Sequence, residues 1–185
     1  VPQNAKQLAR FVAMSSDISA KRRSMANSAG IALGSDYHFD LTRPGLALYG
    51  GAAHSHLRSS ICQVVQPQAR ILQIRDVAAG EGVGYNATYT AQKETTVATL
   101  AIGYADGYFR GFSNSGSVRI DGVECPVLGR VSMDLITVDI SAVPSPAEGD
   151  WCDINFELGN ASRSSGVSQY ELLTGLSRRA ERLWL

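Results

Sequence analysis

The chain has 185 residues, enough for one or two domains. Its 17 basic and 17 acidic side chains cancel, so no basic field is available to hold nucleic acid or an anionic membrane surface. Apolar residues make up 44% of the chain, an ordinary globular composition, and no apolar run approaches a membrane span.

No signal-peptide pattern opens the sequence. Cys62, Cys125 and Cys152 are odd in number, widely spaced and without a C-x-x-C pair, so neither a zinc ribbon nor a disulfide framework is suggested and a reducing cytoplasm is the expected compartment. The chain enters a helix at once, with Asn4 as its cap and Leu8, Phe11 and Val12 on one face. Such a face needs something to pack on, so a longer chain is expected to precede it. Residues 24–26 read as a short strand, followed by a helix from about Ser28. Residues 41–50 read as a second buried strand, broken at Pro44 and Gly45. This alternation is α/β in character.

Asn27 and Ser28 stand where strand becomes helix, a junction whose free backbone N–H groups suit a phosphate; Ser28 as a plain helix cap is the other reading. Arg43 precedes Pro44 and Gly45, where a permanent cation beside bare backbone can serve a ring nitrogen, a phosphate or an ordinary salt bridge. Residues 52–60 are polar and loop-like, and the His54-x-His56 pair there has no carboxylate or cysteine at ligand spacing, so no metal is expected.

Beyond that loop the sequence turns to short strands, at 61–65, 69–77, 95–103, 117–120, 125–128, 135–140 and 151–156, with Gly and Pro turns between them. This is the pattern of a small sandwich or barrel. Asp121 and Gly122 form a two-residue hairpin signal. A C-terminal helix is capped by Ser168 and Glu171, with Leu172, Leu173 and Leu176 as its apolar face and Arg178, Arg179 and Arg182 at its basic end.

Within this region GVGYNATYTA, residues 82–91, places Tyr85 between a glycine turn and a strand-like run. A phenol with an ordinary pKa of about 10 is a weak acid, suited to proton transfer at carbon when aimed into a site. Core or interface packing is its bland alternative. Gly82, Gly84 and Ala87 also imitate a dinucleotide fingerprint, but no helical pattern follows.

Four stretches then read together: ANSAGI (26–31), TRPGLALYG (42–50), GVGYNATYTA with AIGYADG (101–107) behind it, and LGRVSMDLITVDI (128–140). In this order the chain closely resembles the second half of alanine racemase. The resemblance implies a pyridoxal 5'-phosphate cofactor, an L- to D-alanine interconversion that supplies peptidoglycan precursors, and a homodimer with shared active sites. It implies that residues 1–56 are the distal end of a (β/α)8 barrel, whose N-terminal segment this chain lacks, and that residues 57–185 are a C-terminal β domain. Asn27, Ser28, Gly45 and Leu46 match phosphate-binding positions, and Arg43 matches the arginine on the pyridine nitrogen. Tyr85 matches the catalytic tyrosine, serving the partner's cofactor opposite a lysine. Tyr104 matches a tyrosine at the substrate entrance. Met133 matches a residue whose backbone binds the substrate carboxylate, with Asp134 ordering that loop.

Some positions depart from the pattern. Lys6, Lys21 and Lys93 lie in none of the motifs, so the cofactor lysine is not among them and the chain alone is expected to be inactive. Ser24 stands where some members have a histidine pairing with the ring arginine, and Arg178 where some have a phosphate-binding tyrosine. A non-catalytic β module docking on a barrel partner, and a racemase for serine or lysine, are the competing readings.

Overall fold

The structure, a computed structural model, describes residues 2–184, without the side chain of His56. The His54-x-His56 pair is therefore partly outside the described residues. The chain divides into two units, Val1–Val64 and Val65–Leu185.

The first unit opens with helix α1, Pro2–Ser16. Asn4 is not its cap, because Pro2 already supplies the fixed φ of a first turn and the helix starts there. Phe11 packs edge-on against Phe39, with ring centroids 4.8 Å apart. Helix α2 is a single turn, Ser28–Ile31, and Asn27 rather than Ser28 caps it by accepting from the Gly30 N–H at 3.0 Å.

The strands expected at 24–26 and 41–50 do not form. The two segments run parallel but pair only through one bridge, Asn27 with Arg43, where the Arg43 N–H donates to the Ala26 carbonyl at 2.8 Å. The ladder stops because Pro44 has no N–H and the chain then coils into a 3-10 turn, Leu46–Tyr49. Residues 61–65 are likewise without strand pairing.

In the second unit six strands close into an antiparallel barrel, which settles the choice between sandwich and barrel. They are β1 (Gln68–Val77), β4 (Thr95–Leu100), β5 (Ser117–Ile120), β6 (Val123–Leu128), β7 (Ile136–Asp139) and β8 (Trp151–Ile154), in spatial order β1-β4-β7-β6-β5-β8. The first residues of β1 pair with β8 and the rest with β4, and the register shifts between Ile71 and Gln73. That bulge bends β1 so that one strand serves both neighbours and the sheet can close.

The inward residues alternate along each strand and meet Tyr108, Phe112 and Phe156 in one buried cluster. The β5–β6 hairpin turns at Asp121 and Gly122 with φ of 47° and 81°, as its sequence requires. A separate short hairpin, β2 (Gly82–Val83) with β3 (Tyr89–Thr90), stands apart from the barrel sheet.

Two helices follow the barrel. α3, Leu158–Ser165, is not evident in its Gly-, Asn- and Ser-rich sequence; the Glu157 carboxylate caps it, and Leu158 and Ala161 anchor it in the core. α4, Gln169–Gly175, has the expected capping box, with the Ser168 hydroxyl accepting from the Glu171 N–H and the Glu171 carboxylate accepting from the Ser168 N–H. Leu172 is fully buried.

Candidate functional site

Tyr85 opens a 3-10 turn, Tyr85–Ala87, between β2 and β3. Gly84 sits at φ +74°, and a Cβ there would lie 3.2 Å from the Arg130 amide nitrogen. Gly129 sits at φ +76°, and a Cβ there would lie 2.6 Å from the Val83 carbonyl. Residues 83–84 and 129–130 thus meet backbone to backbone, a contact that glycine alone permits. Asn86 and Ala87 also adopt positive φ, 61° and 44°, which for Ala87 is a strained conformation.

Beneath the turn Val77, Val83, Ala91, Val97 and Leu128 make a small buried cluster of their own. The loop therefore rests on a fixed base while the phenol points away: Tyr85 is 67% exposed and belongs to neither buried cluster. The fingerprint-like glycines lead into this turn and then β3, not into an α-helix.

Tyr104 opens a second 3-10 turn, Tyr104–Asp106, after β4. Its N–H donates to the Ser132 carbonyl at 3.0 Å, and the Ala105 N–H donates to the Met133 carbonyl at 2.9 Å. The turn carrying Tyr104 and the bend carrying Met133 are thereby stitched together. The Met133 carbonyl is engaged, whereas its N–H has no partner among the described residues. An unpaired main-chain donor of this kind can receive a carboxylate. The Arg110 guanidinium lies 4.9 Å from the Tyr104 ring centroid, within cation–π range.

Asp134, next in the bend, is bound by Arg179, whose Nη1 donates to its carboxylate at 2.7 Å. The Arg179 Nε lies 3.4 Å from Asp106 Oδ1. The Asp134 hydrogen bond and the Asp106 charge raise the guanidinium above its already high ordinary pKa. The expectation that Arg179 serves the C-terminus of the last helix is thus corrected. α4 stops at Gly175, too early for Arg179 to sit in its last turn. Nothing in the local sequence signals this contact, because its partners come from distant turns.

In the first unit, the Ser28 hydroxyl accepts from the Gly45 N–H at 2.9 Å and the Ala47 N–H at 3.2 Å. Ser28 is buried, and the Leu46 N–H between them has no partner among the described residues. A hydroxyl and a row of main-chain donors thus face one another, as an oxyanion would need. Asn27 lies beside them with its side-chain oxygen committed to the cap. Arg43 meets no carboxylate among the described residues; its Nη1 donates to the Ser24 hydroxyl at 2.5 Å and its Nη2 to the Met25 carbonyl at 3.2 Å. The salt-bridge reading of Arg43 therefore finds no partner there, and Ser24 is the residue that orients it. Among the described residues no group of three or more His, Cys, Asp or Glu side chains is placed to hold a metal ion.

Comparison with known proteins gives a consistent result. The family described as alanine racemase, C-terminal domain, matches residues 64–184, and alanine racemase, N-terminal domain, matches residues 1–53. The biosynthetic alanine racemase of Agrobacterium fabrum is 40% identical over all of this chain, and the alanine racemase of Cereibacter sphaeroides is 43% identical over 98% of it. The chain spans 51% of the length of each of these relatives. The crystal structure of alanine racemase from Bartonella henselae with covalently bound pyridoxal phosphate superposes with a TM-score of 0.91 at 40% identity, covering 99% of this chain and 52% of that one. The Streptomyces coelicolor enzyme also gives a TM-score of 0.91, at 31% identity, with the same coverage of 99% and 52%.

Proposed function

The chain belongs to the alanine racemase family, and from that premise we propose that it forms the distal part of a pyridoxal phosphate-dependent enzyme interconverting L- and D-alanine. Residues 1–56 are the end of the cofactor-holding (β/α)8 barrel, and residues 57–185 are the β domain. In a homodimer this β domain covers the cofactor of the partner subunit. The reducing cytoplasm is its proposed location.

Pyridoxal phosphate fits the donors of the first unit. Ser28, Gly45 and Leu46, with Asn27 alongside, would hold its phosphate, and Arg43 its pyridine nitrogen. When bound, the cofactor supplies an electron sink for charge developing at the substrate Cα. The Arg43 guanidinium keeps its own proton and so donates a hydrogen bond without protonating the ring. Ser24 and the Met25 carbonyl hold that guanidinium in place.

The Met133 N–H receives the substrate carboxylate, Asp134 orders its bend, and Tyr104 lines the approach. The Tyr85 hydroxyl takes or returns the Cα proton on the face used by L-alanine, and a lysine outside the motifs of this chain serves the opposite face. The observation that carries this reading is the exposed Tyr85 phenol, locked by Gly84 onto the segment that runs on to Met133.

The test is Tyr85→Phe in the full-length protein. L-to-D turnover should fall by about 10²–10⁴-fold, the usual size of a lost proton-transfer group, with the dimer intact by size exclusion. Unchanged rates would sink the catalytic role and leave a β module that docks on its partner without chemistry. Serine and lysine assayed beside alanine decide the substrate.

A further inference from the structure

We propose that Arg179 is a positioning residue for the substrate: its guanidinium clamps the turn that carries Tyr104 to the bend that carries Met133. This rests on the racemase reading and extends it to a side chain that none of the motifs contains.

Three stretches of chain, distant in sequence, meet at this guanidinium. Its Nη1 donates to Asp134 at 2.7 Å, and its Nε lies 3.4 Å from Asp106 Oδ1. Asp106 is held from the other side as well, since its second carboxylate oxygen accepts from the Gly103 N–H at 2.9 Å. Its carbonyl accepts from the Ser177 N–H at 3.2 Å, which ties the arginine's own segment to the same turn. The two substrate-side segments are joined directly by the main-chain bonds from Tyr104 and Ala105, with Gly103 packed close on the Met133 backbone. Arg179 closes that link into a ring: Asp134, Arg179, Asp106, Gly103, and back through Ala105 to Met133.

The geometry needs a planar fork. A guanidinium presents several donors in fixed directions and can bridge two carboxylates, whereas an ammonium is a point charge that satisfies one at a time. The Asp106 side chain is only 17% exposed, so without a cation it is a poorly hydrated carboxylate with reason to swing outward and release Gly103.

The clamp is also separate from what holds the unit together. None of Asp106, Asp134 and Arg179 belongs to the buried clusters. Arg179 and Asp134 are 53% and 51% exposed, and ion pairs so exposed contribute little to global stability. Their effect is therefore on the placement of the Met133 N–H, and small displacements of a substrate-binding group are costly to function.

The experiment uses the full-length enzyme. Arg179→Gln should raise KM for alanine about tenfold and lower kcat by less than about threefold. The melting temperature should move by no more than about 2 °C. Arg179→Lys keeps the charge but not the fork and should recover only part of KM. Raised salt should weaken KM in the wild type and have no further effect in Arg179→Gln. Amide hydrogen exchange should quicken about tenfold at Gly103 and Ala105, but not at Val138 in the barrel. A KM that ignores Arg179 in an active enzyme overturns the proposal alone. So does full rescue by lysine, or a large drop in melting temperature with faster exchange at Val138. A wild type inactive on alanine, serine and lysine sinks the racemase reading, and the proposal falls with it.

Discussion

Leu172 and Met14 are both apolar side chains on helices, yet Leu172 is fully buried in the second unit and Met14 is 70% exposed in the first. The contrast extends along the chain. Among the described residues of 2–64, Ala26 is the one apolar side chain that is fully buried, whereas residues 65–184 hold a continuous core and a satellite cluster. In the second unit, Tyr85, Tyr104 and Met133 ride on a scaffold that supports itself. In the first, the phosphate-type cradle is set by a few hydrogen bonds between adjacent backbone segments, Ser28 to Gly45 and Ala47 and Arg43 to Ser24. The two sets of proposed site residues are thus positioned by different forces.

The sharpest way to break this comparison uses the thiols. Cys62 is exposed in the first unit, while Cys125 and Cys152 are buried in the barrel and free. Burial, above all other causes, pushes both buried thiols up to about 11 from their ordinary 9.0. A thiol reagent should label Cys62 at least about a thousandfold faster than the other two, until denaturant opens the barrel. Equal rates would mean that the barrel is no more closed than the first unit. The sign with pH follows from the raised values. Protonation of these thiols stabilises the fold fully below about pH 9, and that stabilisation is lost as pH rises through about 11, seen as a falling urea midpoint.

A smaller effect is expected from matched truncations. Leu172→Ala should cost about 3 kcal/mol in urea unfolding through the cavity it leaves. In this chain Met14→Ala should cost less than about 0.5 kcal/mol, because among the described residues that side chain is 70% exposed. Similar costs would show that α1 is packed as firmly as α4.

The smallest effect sharpens the picture inside the core. Tyr108 stacks on Phe112 with ring centroids 4.3 Å apart, and its hydroxyl is buried with no hydrogen-bond partner among the described residues. Tyr108→Phe should be neutral or stabilising by up to about 1 kcal/mol, since it removes an unsatisfied polar atom and keeps the ring. A clear loss of stability would reveal a partner for that oxygen.

Much of the second unit was legible because its signals are local. Asp121 and Gly122 needed only their own backbone preferences, and the Ser168 and Glu171 box closes within one turn. The elements that misled depended on distant partners. Residues 41–50 have the composition of a strand, but strand structure exists only where another segment pairs with it, and here a single bridge does. α3 has poor intrinsic helix formers, and its stability comes from core contacts that the local sequence does not display. At the site, the glycine frame around Tyr85 could be inferred from residues 82–91, but its other half, Gly129, lies elsewhere in the chain. The bridging contact of Arg179, read from sequence only as the basic end of a helix, was hidden for the same reason, as its carboxylates belong to turns far away in sequence.

The closed strand order has a consequence for how this molecule can change over time. A barrel closed by the pairing of β1 with β8 offers no row of unpaired main-chain groups for a newcomer to extend. Association with the barrel must therefore use side chains and not an added strand, and the loops that carry Tyr85 and Tyr104 are fastened to one short stretch, residues 129–135, which itself carries Met133. Under the proposed function, a substitution within 129–135 would disturb the docking loops and the reacting groups together.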